Sequence, residues 1–369
     1  MNEKIILFGA GANKDKAFDF INDYGGFEVV EIWDNNTCLQ GTFCEFRGKN
    51  ILIKKPYYQD EYNILITSDI YYEEIRRQLE NELLIPGQKI KKYNYIYKNF
   101  KSEIIDKYKD SEDFAINKIC EYLKDNELDV FCGQIENKYP EQMFEIYKDE
   151  NAGLLFSYWK GKKIYLSSKF KDAKKAKSYL CSLCREQDTD SPHCYNIDNL
   201  DLEDVDIVID GGAAEGFFAL QIIDNVKKVY LVEGDESWLE ALKYTFEPYK
   251  DKAEIIPKWL DGYDHENYIT LAALALREGE LKNVLIKLDI EGKESDVIKG
   301  IDRLLELNIN LTCIVCTYHR SEDAQKITDY FKNNNFKTSF TDGYMFFPCP
   351  GEIKAELRKG VLTAVRKSI

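Results

Sequence analysis

Apolar and polar positions along the chain fall into two α/β stretches separated by a stretch of different character. In residues 1–100, KIILFGAG reads as a strand running into a turn, and NKDKAFDFINDYG as a helix. FEVVEIWDNN is a second strand ending at Asp34, YNILITS a third, and DIYYEEIRRQLENE the helix after it. Strands alternating with helices predict a parallel sheet. Residues 101–200 differ. SEDFAINKICEYLKDNELDVF carries apolar residues at helical spacing, LLFSYWKGKKIYLSS reads as a hairpin about a glycine turn, and a further helix leads into the polar loop QDTDSPHCYN. This segment is expected to be a mainly helical linker or substrate lid. In residues 201–369 the candidate strands are DIVIDG, KVYLVEG, AEIIPKW, VLIKLDI, TCIVCTY, KTSFTDG and GVLTAVR. Helices ESWLEALKYTFEP, SDVIKGIDRLLEL and SEDAQKITDYFKNN fall between the earlier ones. In the second of these, Val297, Ile298, Ile301, Leu304 and Leu305 share one face, as packing onto a sheet requires. Seven strands with a late pair at the C-terminus predict a doubly wound α/β sheet.

The stretch VDIVIDGGAAEGFFAL holds the most telling turn. A buried strand, a turn of small residues and a helix make the usual seat of a nucleotide, because small residues let a ligand approach the backbone. The turn spans Asp210, Gly211, Gly212, Ala213, Glu215 and Gly216. Two carboxylates beside a diphosphate repel it, at a cost on the order of kcal/mol in a partly dry site. S-adenosylmethionine (SAM) carries no phosphate, and its sulfonium and ammonium are cationic, so the acids favour it over a dinucleotide. The next strand ends at Glu233 and Gly234, and Glu233, 17 residues after Gly216, is placed to accept hydrogen bonds from ribose hydroxyls.

VIDGGAAEGFFAL, VYLVEGDESWLEALKYTFEP, IKLDIEGKESDVIKG and CTYHRSEDAQKI, in this order, resemble the FkbM-type SAM-dependent methyltransferases. The K-x-D-x-E-G block from Lys287 to Gly292 is the most specific piece, and the loop from Glu186 to Tyr195 looks like a segment that precedes the core in one subgroup. The resemblance covers about half the chain. The N-terminal third more loosely resembles a Rossmann-like domain that accompanies such enzymes. It implies a class I methyltransferase fold, SAM as methyl donor, and O-methylation, often of sugars in surface polysaccharides or of secondary metabolites. One departure stands out: family members commonly carry an Asp after Thr-Leu before the fourth strand, where this chain has Ala272.

An alcohol nucleophile must lose its proton to a base or have it acidified by a metal. Ligands in open α/β sheets sit at the carboxyl ends of strands. The expected base is His319 at the end of the fifth strand, with Asp289 or Glu291 orienting the acceptor or sharing the role. His193, in the polar loop, is the second candidate. Asp289 also falls on the cofactor side of the site. The acids Asp289, Glu291 and Glu294 form an alternative set for a divalent cation, although acids at a helix start also complement its dipole.

The N-terminal G-A-G-A-N-K, Gly9 to Lys14, is a truncated dinucleotide fingerprint with lysine where a third glycine belongs. Asp34, 23 residues after Gly11, stands where a ribose acid would, and Lys14 and Lys16 where a diphosphate would be met. The expectation is a unit used for packing, dimerisation or carrying substrate rather than a working NAD site. A nucleotide-linked sugar is the ligand that Lys14 and Lys16 would suit. The rival readings are an NAD-dependent sugar-nucleotide oxidoreductase or epimerase, and a non-catalytic SAM-binding protein.

Composition narrows the partners. The net charge of −15 disfavours nucleic acid and anionic lipid. The acceptor is therefore expected to be a small molecule or glycan, and a homo-oligomer is compatible with the sequence. No apolar run approaches the roughly 18 residues of a membrane span and no targeting segment is visible, so a cytoplasmic location is expected. The ten cysteines are expected to stay reduced. Cys181-x-x-Cys184, with His193 and Cys194 following, lies in a helical pattern and reads as a helix face with incidental cysteines rather than a zinc site.

Overall fold

In the computed structural model, which describes residues 2–133, 135, 138–349 and 354–368, the chain divides into two compact units. The first comprises residues 1–132 and 346–357, the second 133–345 and 358–369.

The first unit runs β1 (Glu3–Phe8), α1 (Ala12–Tyr24), β2 (Phe27–Trp33), β3 (Phe43–Phe46), β4 (Lys49–Lys54), β5 (Asn63–Ile66), α2 (Tyr72–Asn81), β6 (Ile90–Lys91), α3 (Lys98–Tyr108) and α4 (Phe114–Asp125). Its sheet has the order β3-β4-β2-β1-β5-β6, parallel except for the β3–β4 hairpin. That hairpin turns through Arg47 and Gly48, both at positive φ. Alternate strand residues feed two cores. Ile5, Leu7 and Val29 meet Phe18 and Ile21 of α1, and Ile6, Phe8 and Ile64 meet Tyr72 and Leu79 of α2.

The second unit begins with a three-stranded sheet, β7 (Tyr147–Asp149), β8 (Leu154–Trp159) and β9 (Lys162–Tyr165), and helix α5 (Ala173–Glu186). It continues through β10 (Ile207–Gly211), α6 (Phe217–Ile222), β11 (Lys228–Val232), α7 (Glu236–Phe246), β12 (Ala253–Ile256), β13 (Trp259–Leu260), β14 (Tyr268–Ile269) and α8 (Leu271–Ala275). Then follow β15 (Asn283–Leu288), α9 (Glu294–Val297), α10 (Asp302–Leu305), β16 (Asn310–Cys316), α11 (Asp323–Asn333) and β17 (Lys337–Phe340). The short strands β18 (Met345–Pro348) and β19 (Ala355–Arg358), which pair with each other, lie almost wholly in the first unit, and β20 (Val361–Arg366) is the last strand of the second.

Seven of these strands form one sheet, β12-β11-β10-β15-β16-β20-β17, parallel but for β20, which runs antiparallel to both neighbours. The expected doubly wound sheet with a late strand pair is therefore present, and the class I order 3-2-1-4-5-7-6 describes it. Its inner strands are apolar on both faces because helices cover both. Ile207, Ile209, Val284 and Ile286 face α8 to α11, while Val208, Leu231, Leu285 and Ile314 face α5, α6 and α7. Chain direction across the sheet reverses between β10 and β15, which opens a crevice at their carboxyl ends.

Two expectations of layout change. The boundaries at 100 and 200 are replaced by one at 132/133, and residues 346–357 return to the first unit. The physical reason is aromatic packing: Phe346 lies 5.4 Å from the Tyr97 ring and 5.9 Å from Phe100. The middle segment is also less helical than expected, since β7 joins the Lys160-Gly161 hairpin to make a sheet. The helix after the fourth strand is broken into α9, a 3-10 turn over Ile298–Ile301 and α10. Among the described residues no helix is long and apolar enough to cross a membrane.

Candidate functional site

Asp210 and Lys287 are register partners across the β10–β15 ladder, both buried, with Nζ 3.0 Å from Oδ1. The same ammonium donates to the carbonyls of Gly211 (3.2 Å) and Gly212 (2.8 Å), tying the turn to the strand beside it. Burial acts to lower the Lys287 pKa, but Asp210 and Asp289 outweigh it and hold the ammonium above its ordinary value. Asp210 was expected to face the ligand; its charge is instead met by Lys287, and it lines neither of the two cavities described next.

The turn itself is pressed against β15. A Cβ on Gly212, at φ +69°, would lie 2.0 Å from the Asp289 carbonyl oxygen. Only glycine fits there. Glu233, at the end of β11, accepts from the backbone N–H of Ala214 (2.8 Å) and of Asp235 (2.7 Å), so it braces the turn while its carboxylate faces the crevice. Burial, more than anything else, pushes the Glu233 carboxyl up.

A cavity of about 450 Å³ opens at these strand ends. Gly212, Ala214, Glu233 and Gly234 form one side, and Trp238, Trp259, Leu260, Tyr268 and Ile290 give it apolar walls. The Trp259 ring lies against Gly234, where a Cβ would come within 2.2 Å of it. Five carboxylates (Glu233, Asp235, Asp261, Asp289 and Glu291) and two lysines (Lys258 and Lys293) line this cavity. The cavity is rich in carboxylates, but neither acid of the turn, Asp210 or Glu215, is among them. The size and the apolar walls fit an adenosine, and Glu233 fits a ribose diol. Ala272, where the family Asp was expected, is buried in the core of the sheet and lines neither cavity.

A second cavity, of about 240 Å³, shares Gly212, Ala214, Asp289 and Glu291 with the first. Asp289 sits at its centre. Tyr195 donates to Asp289 Oδ2 (2.9 Å) and Tyr318 to Oδ1 (3.2 Å). His193 Nε2 lies 3.5 Å from Oδ2, and His319 Nε2 lies 3.6 Å from Oδ1. Burial would raise the Asp289 pKa, but His193, Lys287 and His319 prevail and hold it well below the usual carboxylate range.

The two histidines are not equivalent. His193 is buried and lines the smaller cavity. Gln187 accepts the Tyr195 N–H at Oε1 (3.0 Å), so its amide nitrogen faces His193 Nδ1 at 3.3 Å. That network assigns Nδ1 as acceptor and Nε2 as the protonated nitrogen, directed to Tyr318 Oη (2.9 Å). Burial lowers the His193 pKa, but the bond and charge of Asp289, with Glu186, raise it overall. His319 lines neither cavity. Its Nδ1 is 3.1 Å from buried Glu294 and its Nε2 is 3.6 Å from both Asp289 and exposed Glu291. Burial acts to lower its pKa, but the carboxylates of Glu294, Asp289 and Glu291 around the ring raise it overall. Of the two candidate bases, His193 lines a cavity and His319 does not.

The cation set is also regrouped. Ligand atoms of Asp289, Glu294 and His319 lie within 4.8 Å of one another, as do those of His193, Asp289 and Cys316, whereas Glu291 joins neither group. Glu294 Oε1 accepts the Ile290 N–H (2.8 Å), a bracing bond at the start of α9. Cys181 and Cys184 are buried on α5 in the core beneath the sheet.

Glu215 turns away from the larger cavity and lines the smaller one, accepting the Tyr179 hydroxyl. Burial, partly offset by that bond, pushes its pKa up from 4.5 to about 7. A raised carboxyl contributes stability that is full below pH 4.5 and is lost as pH rises through about 7. Glu215→Gln removes this loss. Urea unfolding at pH 8 is expected to show the variant more stable than wild type by roughly 2–3 kcal/mol, with the difference gone near pH 4.5. A difference independent of pH would contradict the assignment.

In the first unit, Asp34 accepts from the N–H of Ala10 (2.6 Å) and Asn36 (2.7 Å), and Lys14 pairs with Asp15 at 2.9 Å. The glycine turn from Gly9 is thus braced by the acid expected to meet a ribose. The lysine expected to meet a diphosphate already has a carboxylate partner.

Residues 1–91 match the family model described as C2185-like, N-terminal. No curated protein matches the chain. Among solved structures, the precorrin-6y C5,15-methyltransferase of Geobacter metallireducens is similar over 45% of this chain and 82% of its own, at 12% identity and a TM-score of 0.30. A SAM-dependent O-methyltransferase of Thermotoga maritima is similar over 46% and 62%, at 12% identity and 0.29. SMU.1697c of Streptococcus mutans, called a putative methyltransferase and solved with S-adenosylhomocysteine (SAH), is similar over 44% and 90%, at 13% identity and 0.29. Each of these likenesses covers less than half of the chain.

Proposed function

We propose that this protein is a SAM-dependent methyltransferase that methylates a hydroxyl group, with a sugar as the favoured acceptor. The observation that carries the reading is the pair of adjoining cavities at the strand-order reversal. One is apolar-walled, acid-rich and ends at Glu233; the other holds a histidine on an ionised carboxylate. SAM, when bound, supplies an electrophilic methyl on a sulfonium. Trp238, Trp259 and Leu260 enclose an adenine, Glu233 accepts from ribose hydroxyls, and the excess of carboxylates attracts a cationic ligand while disfavouring a diphosphate.

In this reading the acceptor lies in the smaller cavity. His193 takes the hydroxyl proton at Nδ1, the acceptor hydroxyl displacing the 3.3 Å amide contact of Gln187 from that lone pair. Asp289 stabilises the imidazolium that forms, and Tyr195 and Tyr318 hold that carboxylate in place. Holding nucleophile and methyl in line supplies much of the remaining rate. A glycan of surface-polysaccharide or secondary-metabolite type is the acceptor class that the sequence resemblance favours.

Calorimetric titration of the full chain with SAH tests the cofactor assignment. Wild type is expected to bind, and Glu233→Ala to bind about 10- to 100-fold more weakly, the loss of a charge-assisted bidentate contact. Equal affinity in the two proteins would remove Glu233 from the site.

A further inference from the structure

We propose that a third cavity, of about 250 Å³, binds the neighbouring sugar of a neutral oligosaccharide acceptor, so that the substrate is a glycan of at least two units rather than a nucleotide-linked sugar. The inference rests on the methyltransferase reading for what is done to that glycan. The cavity itself stands on its own residues.

Gln187 and Phe217 line both this cavity and the acceptor cavity, so the two adjoin. Neighbouring units of one glycan would occupy adjoining sites of this kind. The end of α5 and the polar loop after it supply one wall, and the β8–β9 turn supplies another. Tyr139, Trp159 and Phe217 give it an aromatic lining. Trp159 is fixed between Phe144 (6.2 Å) and Phe217 (5.1 Å). Opposite in character are Asp188, Asn196 and Asn199, short side chains that accept and donate hydrogen bonds. Asp188 is held rigidly by Lys138 (2.9 Å), the Tyr139 hydroxyl (2.7 Å) and the Asp190 N–H (2.9 Å).

A pyranose has a C–H face that packs on a ring and an equator of hydroxyls that meet carboxylates and amides. The charges point the same way. Asp188 is paired with Lys138, which leaves Asp198 against exposed Lys160, whose ammonium lies 5.6 Å over the Trp159 ring. The cavity therefore offers a diphosphate no net positive charge, whereas a neutral sugar needs none. Asp188 and Thr189 belong to the loop noted in the sequence for its polarity, which now has a binding role distinct from a lid.

The test uses the full-length protein and a panel of neutral glycosides, each as the monosaccharide and as the matching disaccharide, together with nucleoside-diphosphate sugars. Saturation-transfer NMR reads sugar binding without SAM, and SAH affinity is measured on the same samples. A disaccharide is expected to bind at least tenfold more tightly than its monosaccharide. Asn199→Ala and Gln221→Ala are expected to erase that advantage while leaving SAH affinity within twofold of wild type. Neither side chain lines the other two cavities. SAH binding without any neutral disaccharide preferred over its monosaccharide, or with a nucleoside-diphosphate sugar bound best, overturns this inference and leaves the methyltransferase reading intact. Disaccharide binding that depends on Asn199 in a protein that never binds SAH supports the sugar site and overturns the methyltransferase reading.

Discussion

His193→Asn is expected to lower kcat by about 10²- to 10⁴-fold, the usual contribution of a positioned general base, with SAH affinity within about threefold of wild type. Asparagine keeps a polar group of similar reach but cannot take up a proton. The wild-type pH profile should carry the same information. Asp289 raises the His193 pKa, so the neutral, proton-accepting ring becomes scarce as pH falls through a value above 6.5. The rate should fall on that acidic limb in wild type, and the limb should vanish in His193→Asn. His319→Asn offers the contrast. Its imidazole spans Glu294 and Asp289, so the variant should lose stability before it loses chemistry. Equal loss of kcat in both variants, with SAH affinity retained, would return the base role to His319.

Lys287→Met should be the most destabilising single change in the second unit, by about 3–5 kcal/mol, because it strands the Asp210 carboxylate in the core. The same substitution frees two turn carbonyls from their donor. The paired change Asp210→Asn with Lys287→Met removes both charges together. It is expected to recover most of the loss, since replacing a buried ion pair by uncharged groups is often near neutral. Urea unfolding of the three proteins measures this. A double variant no better than Lys287→Met alone would mean that Lys287 acts through the turn carbonyls and not through Asp210.

Much of the second unit was legible because its strands are unbroken apolar runs and its turn needs glycine. Val205–Leu220, Glu233 and the terminal strand pair fell where the pattern put them. What was not legible depends on register and on contacts distant in sequence. Asp210 reads as a ligand-facing acid until the β10–β15 pairing sets Lys287 beside it. His193 and His319 are indistinguishable as histidines near strand ends. They separate only when Gln187 and the cavity wall meet one ring and Glu294 meets the other. Tyr195 and Tyr318, each next to a residue singled out in HCY or TYH, were passed over because a tyrosine carries no motif of its own. Residues 346–357 look like part of the C-terminal domain, and contacts distant in sequence assign them to the first unit: Phe346 packs on Tyr97 and Phe100, and Ala355 bonds to Glu103 and Lys107. The β3–β4 hairpin, by contrast, had a readable signal in FCEFRGKNILIK: alternating strands about an Arg-Gly turn.

The most direct measurement is a crystal structure of the protein grown with SAH. The adenine is expected against Trp238 and Trp259, the ribose hydroxyls on Glu233, and the sulfur turned toward the cavity that holds His193. NAD or another phosphorylated ligand seated between Gly212 and Glu233, or SAH bound away from that crevice, would contradict that placement.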